Sequence, residues 1–182
     1  MTDLREKYDV NLDPGGIIGR IRHFALDLDG TMYLDETWID GALDFLAALT
    51  RSGRSYCFMT NNSSKNAKVY VDKLHRMGLD IDPETELITS GHATIAYLKH
   101  HYPGKRVYLF GNRVLMDEFE ESGIELVDED PEVTVTAFDT SFDYAKLCRL
   151  CDFIRTGIPY IGTHPDLNCP TKTGFIPDIG SL

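Results

Sequence analysis

The segment His23-Phe24-Ala25-Leu26-Asp27-Leu28-Asp29-Gly30-Thr31 decides the fold. Its first six residues, HFALDL, read as a strand rich in apolar residues, and Gly30 lets the chain turn immediately afterwards. In an extended segment residues two apart point the same way, so Asp27 and Asp29 share a face at the strand's carboxyl end. Ligand sites in open α/β sheets lie at such ends. Two carboxylates held together repel each other and shift each other's proton affinity unless a cation joins them. A hard cation such as Mg²⁺ wants oxygen ligands and uses few protein carboxylates. One carboxylate is then free to attack phosphorus and the other to move a proton.

Rival readings of D-x-D-G are weaker. A calcium loop starting at Asp27 would need Gly at its sixth position and Glu at its twelfth. Those positions hold Met32 and Trp38. A glycosyltransferase D-x-D is conceivable but accounts for nothing further along the chain, and a purely structural turn is the plain alternative.

Working outward, strand and helix alternate. Gly41–Ser52 reads as a helix and Ser55–Thr60 as a second strand. A helix at Asn66–Met77, stopped by Gly78, and a short strand at Glu86–Thr89 follow. A helix from about His92 to His101 comes next. Strands at Val107–Phe110, Val133–Phe138 and Tyr160–Ile161 then enclose helices at Val114–Ser122 and Asp143–Arg155. This alternation predicts an α/β protein with βαβ units and a parallel sheet covered on both faces. Breaks near Ser90-Gly91 and in Cys169–Gly180 are candidate domain boundaries.

Strand two ends in Thr60-Asn61-Asn62-Ser63-Ser64-Lys65. A hydroxyl and free backbone N–H groups at a strand end, just before a helix N-terminus, suit a phosphate oxygen. The plainer alternative is that Asn62, Ser63 and Ser64 cap the next helix. Both hold if Thr60 and Asn61 face the ligand while the serines cap.

Composition narrows the classes. The 182 residues are 42% hydrophobic and 26% charged, which is globular composition. No apolar run approaches the roughly 20 residues that span a bilayer. The start, MTDLREKYDVNLDPGG, has no apolar core of a secretory signal, so a cytoplasmic setting is expected. Net charge is 18 − 29 = −11, and eleven of the acids fall between Val114 and Ala145, where there is no Lys or Arg. A nucleic-acid backbone would be repelled there, and a solvated acidic face is expected. Cys148 and Cys151 form a C-x-x-C, but with Tyr144, Leu147 and Ile154 they make an apolar stripe at helical spacing. No second pair at zinc spacing follows, so structural cysteines are expected. Gly15-Gly16-Ile17-Ile18-Gly19 is not a dinucleotide fingerprint and precedes the strand that such a motif must follow. His100-His101 reads as a surface helix end.

Asp27-x-Asp29-Gly30-Thr31 followed by Phe58-Met59-Thr60-Asn61-Asn62-Ser63-Ser64 resembles motifs I and II of the haloacid dehalogenase superfamily of phosphohydrolases. The finer resemblance is to its 4-nitrophenylphosphatase/NagD-like branch. It extends to Phe138-Asp139-x-Ser141-Phe142-x-Tyr144-x-Lys146-Leu147, His164-Pro165-Asp166 and Pro170-Thr171-x-x-Gly174-x-x-Pro177-Asp178-x-Gly180-Ser181.

The resemblance implies a Rossmann-like core with an inserted α/β cap of type C2. Residues 1–90 would be the first half of the core, 91–177 the cap and 178–182 the start of the return to the core. It implies Asp27 as nucleophile, forming an aspartyl-phosphate and binding Mg²⁺. Asp29 would be the proton donor and then the base, and its carbonyl would also face the metal. Thr60, Asn61 and Gly30 would hold the phosphoryl group, and His164 and Asp166, in a cap loop, would approach the substrate. The implied substrate is a small phosphorylated metabolite, and a homodimer through the cap is suggested.

Two departures stand out. The family usually has Asn where His164 stands. Its motif III Lys and motif IV acidic pair are expected after the Pro177–Leu182 stretch, beyond which the sequence does not run. Neither Lys65 nor Lys172 matches the motif III context. The expectation is therefore half a core with an uncovered apolar face, joined to an entire cap. Two readings stay open: a phosphatase completed from elsewhere, or an inactive chain whose cap serves as an interaction module.

Overall fold

The computed structural model describes residues 17–171 and 174–182. The polar start, Gly15 and Gly16 of the Gly15–Gly19 stretch, and Lys172 lie outside the described residues.

A short helix α1 (Ile17–Arg20) leads into β1 (His23–Asp27). After a two-stranded hairpin, β2 (Tyr33–Leu34) with β3 (Thr37–Trp38), come α2 (Ala42–Arg51), β4 (Ser55–Thr60), α3 (Ala67–Arg76) and β5 (Leu87–Thr89). Strands β1, β4 and β5 form one parallel sheet in that order, with Leu26 level with Phe58 and Phe58 level with Leu87. The chain continues through α4 (Ser90–His101), β6 (Val107–Phe110), α5 (Arg113–Glu121), β7 (Val133–Thr136), α6 (Tyr144–Arg155) and β8 (Tyr160–Gly162). Strands β6, β7 and β8 form a second parallel sheet. An antiparallel hairpin, β9 (Asn168–Thr171) with β10 (Gly174–Pro177), and a 3₁₀ turn at Ile179–Ser181 follow.

The fold is α/β, as the alternation predicts, and the element bounds agree to within two residues. Helix starts are fixed by side-chain caps. Asn66, Thr89, Asn112 and Asp143 each accept an N–H from the first turn of their helix. The two hairpins were not anticipated. Two-residue strands are too short to show alternation, and Asp35 turns the first hairpin with a left-handed φ of 54°.

The two sheets are buried differently. In the second, β6 and β7 are buried along their whole length. Leu109 and Val135 pack with Ile95, Leu98, Leu115 and Phe119, while Tyr108 and Phe110 pack with Leu150 and Ile179 on the other side. The first sheet is covered on one face only, where Leu26, Phe58 and Leu87 pack against Leu46, Tyr70 and Leu74. Its other face presents Ala25, Met59 and Ile88 outward, the last two 45% and 44% exposed. The expected cover on both faces is therefore met only in the second sheet, and the expected uncovered face is present in the first. Parallel strands are normally buried on both faces, so this side is an unusual surface.

The cysteine stripe is corrected. On α6 the buried residue is Leu150, flanked by Leu147 and Phe153, because the helix lies on Tyr108 and Phe110. Cys148 is exposed, Cys151 half-buried, and all four cysteines are free thiols. Nor is the acidic stretch a uniform solvated face: Glu118 and Asp139 are buried within it. His100 and His101 are exposed, as expected of a helix end. Among the described residues no helix is long and apolar enough to cross a membrane.

Candidate active site

Strand β1 ends at Asp27, and the next three residues build a tight turn. Leu28 plunges into the core, and its carbonyl accepts the N–H groups of Thr31 and Met32. Gly30 turns the chain at φ 84°, a region that costs other residues about 1 kcal/mol or more. The turn brings the Thr31 hydroxyl back to Asp27, donating to Oδ2 at 2.7 Å.

Asp27 and Asp29 both line a cleft of about 820 Å³, together with Gly30, Thr60, Asn61 and Asp166. Those six include nearly every residue expected at the site; His164 is the exception. Asp29 leans towards α3, where the Tyr70 hydroxyl donates to its Oδ2 at 3.3 Å and the Lys73 ammonium lies 3.9 Å from its Oδ1. Tyr70 also meets the Thr60 hydroxyl at 3.3 Å. Since Tyr70 gives its one proton to Asp29, it accepts from Thr60. A short relay thus joins the end of β4 to the second carboxylate.

Sequence reasoning missed Tyr70 and Lys73. Both sit at apolar-stripe spacing on α3, and nothing local marks them as facing a carboxylate. Burial, reinforced by Asp29, holds the Tyr70 phenol far above its ordinary range, so it stays a proton donor. Burial pushes the Lys73 ammonium below its ordinary value, against the opposing pull of Asp29. Its Nζ also sits 3.6 Å from the centre of the Tyr33 ring.

The loop after β4 departs from the expected division of labour. Asn66, not a serine, caps α3. Ser64 donates its N–H and hydroxyl to Asn62 Oδ1 in a local turn. Ser63, fully buried, reaches the second sheet: its hydroxyl oxygen accepts the Phe138 N–H at 2.7 Å and the Thr163 hydroxyl at 2.9 Å. Asn112 adds a bond to the Ser64 carbonyl, and Glu118 accepts the Ala67 N–H at 3.1 Å. The Asn61 amide donates to Asp166. The expected ligand loop is thereby stitched to the carboxyl ends of β6, β7 and β8.

His164 does not line this cleft. Its side chain is 3% exposed. The pattern Asp139-x-Ser141…Lys146 is a structural clasp: Asp139 accepts from Ser141 and pairs with Lys146 at 2.8 Å. Among the described residues no three His, Cys, Asp or Glu side chains converge on one point. At the end of β1 the metal-competent groups lining the cleft are oxygen donors, Asp27 with one carboxylate oxygen already taken by Thr31, and Asp29. That hard, sparse donor set fits a Mg²⁺ that keeps several of its waters.

The carboxylate pair at the end of β1 thus shares its cleft with the Thr60-Asn61 pair at the end of the neighbouring strand β4. Residues 24–125 match the model of the haloacid dehalogenase-like hydrolases, and the chain belongs to that family. It is 36% identical over 160 residues to an acid sugar phosphatase of Staphylococcus aureus strain MRSA252, covering 87% of this chain and 61% of that protein. It superposes on a 4-nitrophenylphosphatase from Thermotoga maritima with a TM-score of 0.84 at 40% identity, covering 88% of this chain and 61% of the other. A thermostable phosphatase variant from Geobacillus stearothermophilus gives 0.79 at 34% identity, covering 88% and 63%. The chain thus spans about three fifths of the length of these relatives.

Proposed function

We propose that this chain serves a Mg²⁺-dependent phosphatase acting on small phosphorylated metabolites, with Asp27 as nucleophile. The observation that carries the reading is the meeting of Asp27, Asp29, Thr60 and Asn61 on one cleft. The relatives' names, an acid sugar phosphatase and a 4-nitrophenylphosphatase, support the reaction class.

An Asp27 carboxylate oxygen attacks phosphorus, and the bond from phosphorus to the substrate oxygen breaks. Asp29 gives its proton to the departing alcohol. It then takes a proton from water, whose oxygen attacks the aspartyl-phosphate and releases inorganic phosphate and free Asp27. The Asn61 amide, the Gly30 backbone and the Thr60 hydroxyl, turned away from Tyr70, would hold the phosphoryl oxygens. Mg²⁺, carried by Asp27 and the Asp29 carbonyl, would neutralise phosphoryl charge. Residues 91–177, organised around the second sheet with its own core, form in this reading a cap that screens the cleft. The described residues up to 90 belong in this reading to the core, and 178–182 would be the start of the return to it.

The test is phosphate release from 4-nitrophenyl phosphate by the purified chain with and without Mg²⁺. Release that needs the metal and vanishes in Asp27→Asn supports the reading. A folded chain without turnover supports the second reading, an inactive chain whose cap serves association.

A further inference from the structure

His164 is sealed from water, and neither ring nitrogen has a hydrogen-bond partner. Each nitrogen nevertheless faces a carboxylate: Nδ1 is 3.8 Å from Asp166 Oδ2, and Nε2 is 3.4 Å from Asp178 Oδ1. Among the described residues these are the carboxylates within 4 Å of the ring. Asp178 is itself buried and caps the last 3₁₀ turn through the Ile179 N–H at 2.6 Å. The loop carrying His164 is strapped to that turn. Gly180 N–H donates to the Asp166 carbonyl at 2.8 Å, and Asp178 N–H to the Leu167 carbonyl at 2.9 Å. A Cβ on Gly180 would fall 2.1 Å from the Pro165 carbonyl oxygen, so the two segments pack too closely to admit a side chain at position 180.

Carboxylate oxygens only accept. A neutral imidazole offers one N–H and one lone pair, so one nitrogen would set a lone pair against a carboxylate. A ring protonated at both nitrogens has a donor for each. The Asp166 oxygen facing His164 is also the one that accepts the Asn61 amide. An Asn amide has two N–H donors. With one held by Asp166, the other has a fixed direction.

We propose that His164 is a positioning residue: as an imidazolium clamped between Asp178 and Asp166, it fixes the carboxylate that orients the Asn61 amide. This rests on the reading of Asn61 as a phosphoryl-holding group. Its second consequence is electrostatic. An Asp166 carboxylate beside the cleft repels a phosphate dianion, and the imidazolium behind it offsets that charge.

The test is spectroscopic, on the ¹⁵N-labelled full chain at pH 7. Long-range ¹H–¹⁵N spectra read the His164 ring, and side-chain amide exchange reads Asn61. Both ring nitrogens protonated in the wild type, together with Asn61 amide exchange at least tenfold faster in His164→Gln and Asp166→Ala, supports the proposal. A neutral ring, or Asn61 exchange unchanged in folded His164→Gln, overturns it. Should His164→Gln not fold, the wild-type ring decides: two protonated nitrogens sustain the proposal and one overturns it. None of these readouts needs turnover, so failed phosphate release with these spectra as expected strikes the phosphatase reading alone.

Discussion

The buried Ser63 hydroxyl oxygen accepts the Phe138 N–H at 2.7 Å, joining the loop after β4 to the end of β7 across 75 residues. It also accepts from Thr163. One side chain therefore registers the loop after β4 against two strands of the second sheet. Ser63→Ala leaves a buried N–H and a hydroxyl unpaired, which costs about 1–3 kcal/mol. Ser64→Ala removes only a local turn bond and costs about 1 kcal/mol or less. Urea denaturation of both variants checks the difference.

Glu118 couples the same loop to α5 through the Ala67 N–H. Burial raises its carboxyl above the ordinary glutamate range, against the Ala67 and His92 contacts that lower it. A raised folded value means the native state binds the proton more tightly than the unfolded chain. The ionised carboxylate is thus a penalty, fully present above the folded value and relieved as pH falls through it. Glu118→Gln should melt higher than wild type at neutral pH, with the gap closing on acidification. Calorimetry across that range checks it.

Asp139 behaves in the opposite sense. Burial alone would raise its carboxyl, but the Lys146 and Ser141 hydrogen bonds outweigh burial and hold it below the ordinary value. Its contribution is present above the unfolded aspartate range and lost as pH falls through the folded value. Lys146→Met strands the Asp139 carboxylate and costs about 3 kcal/mol at neutral pH. Denaturation midpoints of this variant and of wild type, at neutral and acid pH, should converge on acidification.

The outward Met59 and Ile88 side chains make an apolar patch beside Ala25. The folded chain should bind the dye ANS, and Met59→Lys with Ile88→Lys should lower that fluorescence. As surface changes they cost roughly 0.5 kcal/mol or less each. Unchanged fluorescence would place the dye elsewhere.

The alternation of strands and helices was legible because strands such as Val107–Phe110 are apolar runs and four of the helices carry their own side-chain caps. Asp27, Asp29, Thr60 and Asn61 were legible because they sit at strand ends. What stayed hidden depends on long-range packing. Ser63, Tyr70 and Lys73 owe their partners to chain segments far away in sequence. The stripe on α6 pointed to Leu147 together with Cys148 and Cys151, while contact with Tyr108 and Phe110 kept Leu147 and put Leu150 and Phe153 in place of the cysteines. His164 is a loop residue whose burial depends on a segment distant from its own strand, the Asp178–Gly180 turn strapped across its loop.

The central claim is that the Asp27 carboxylate bonds to phosphorus. The most direct measurement is borohydride trapping during turnover of 4-nitrophenyl phosphate with Mg²⁺, followed by peptide mass spectrometry. Reduction of an aspartyl-phosphate leaves homoserine, which this account predicts at position 27 and nowhere else. An unaltered Asp27, or homoserine at Asp29 instead, would contradict it.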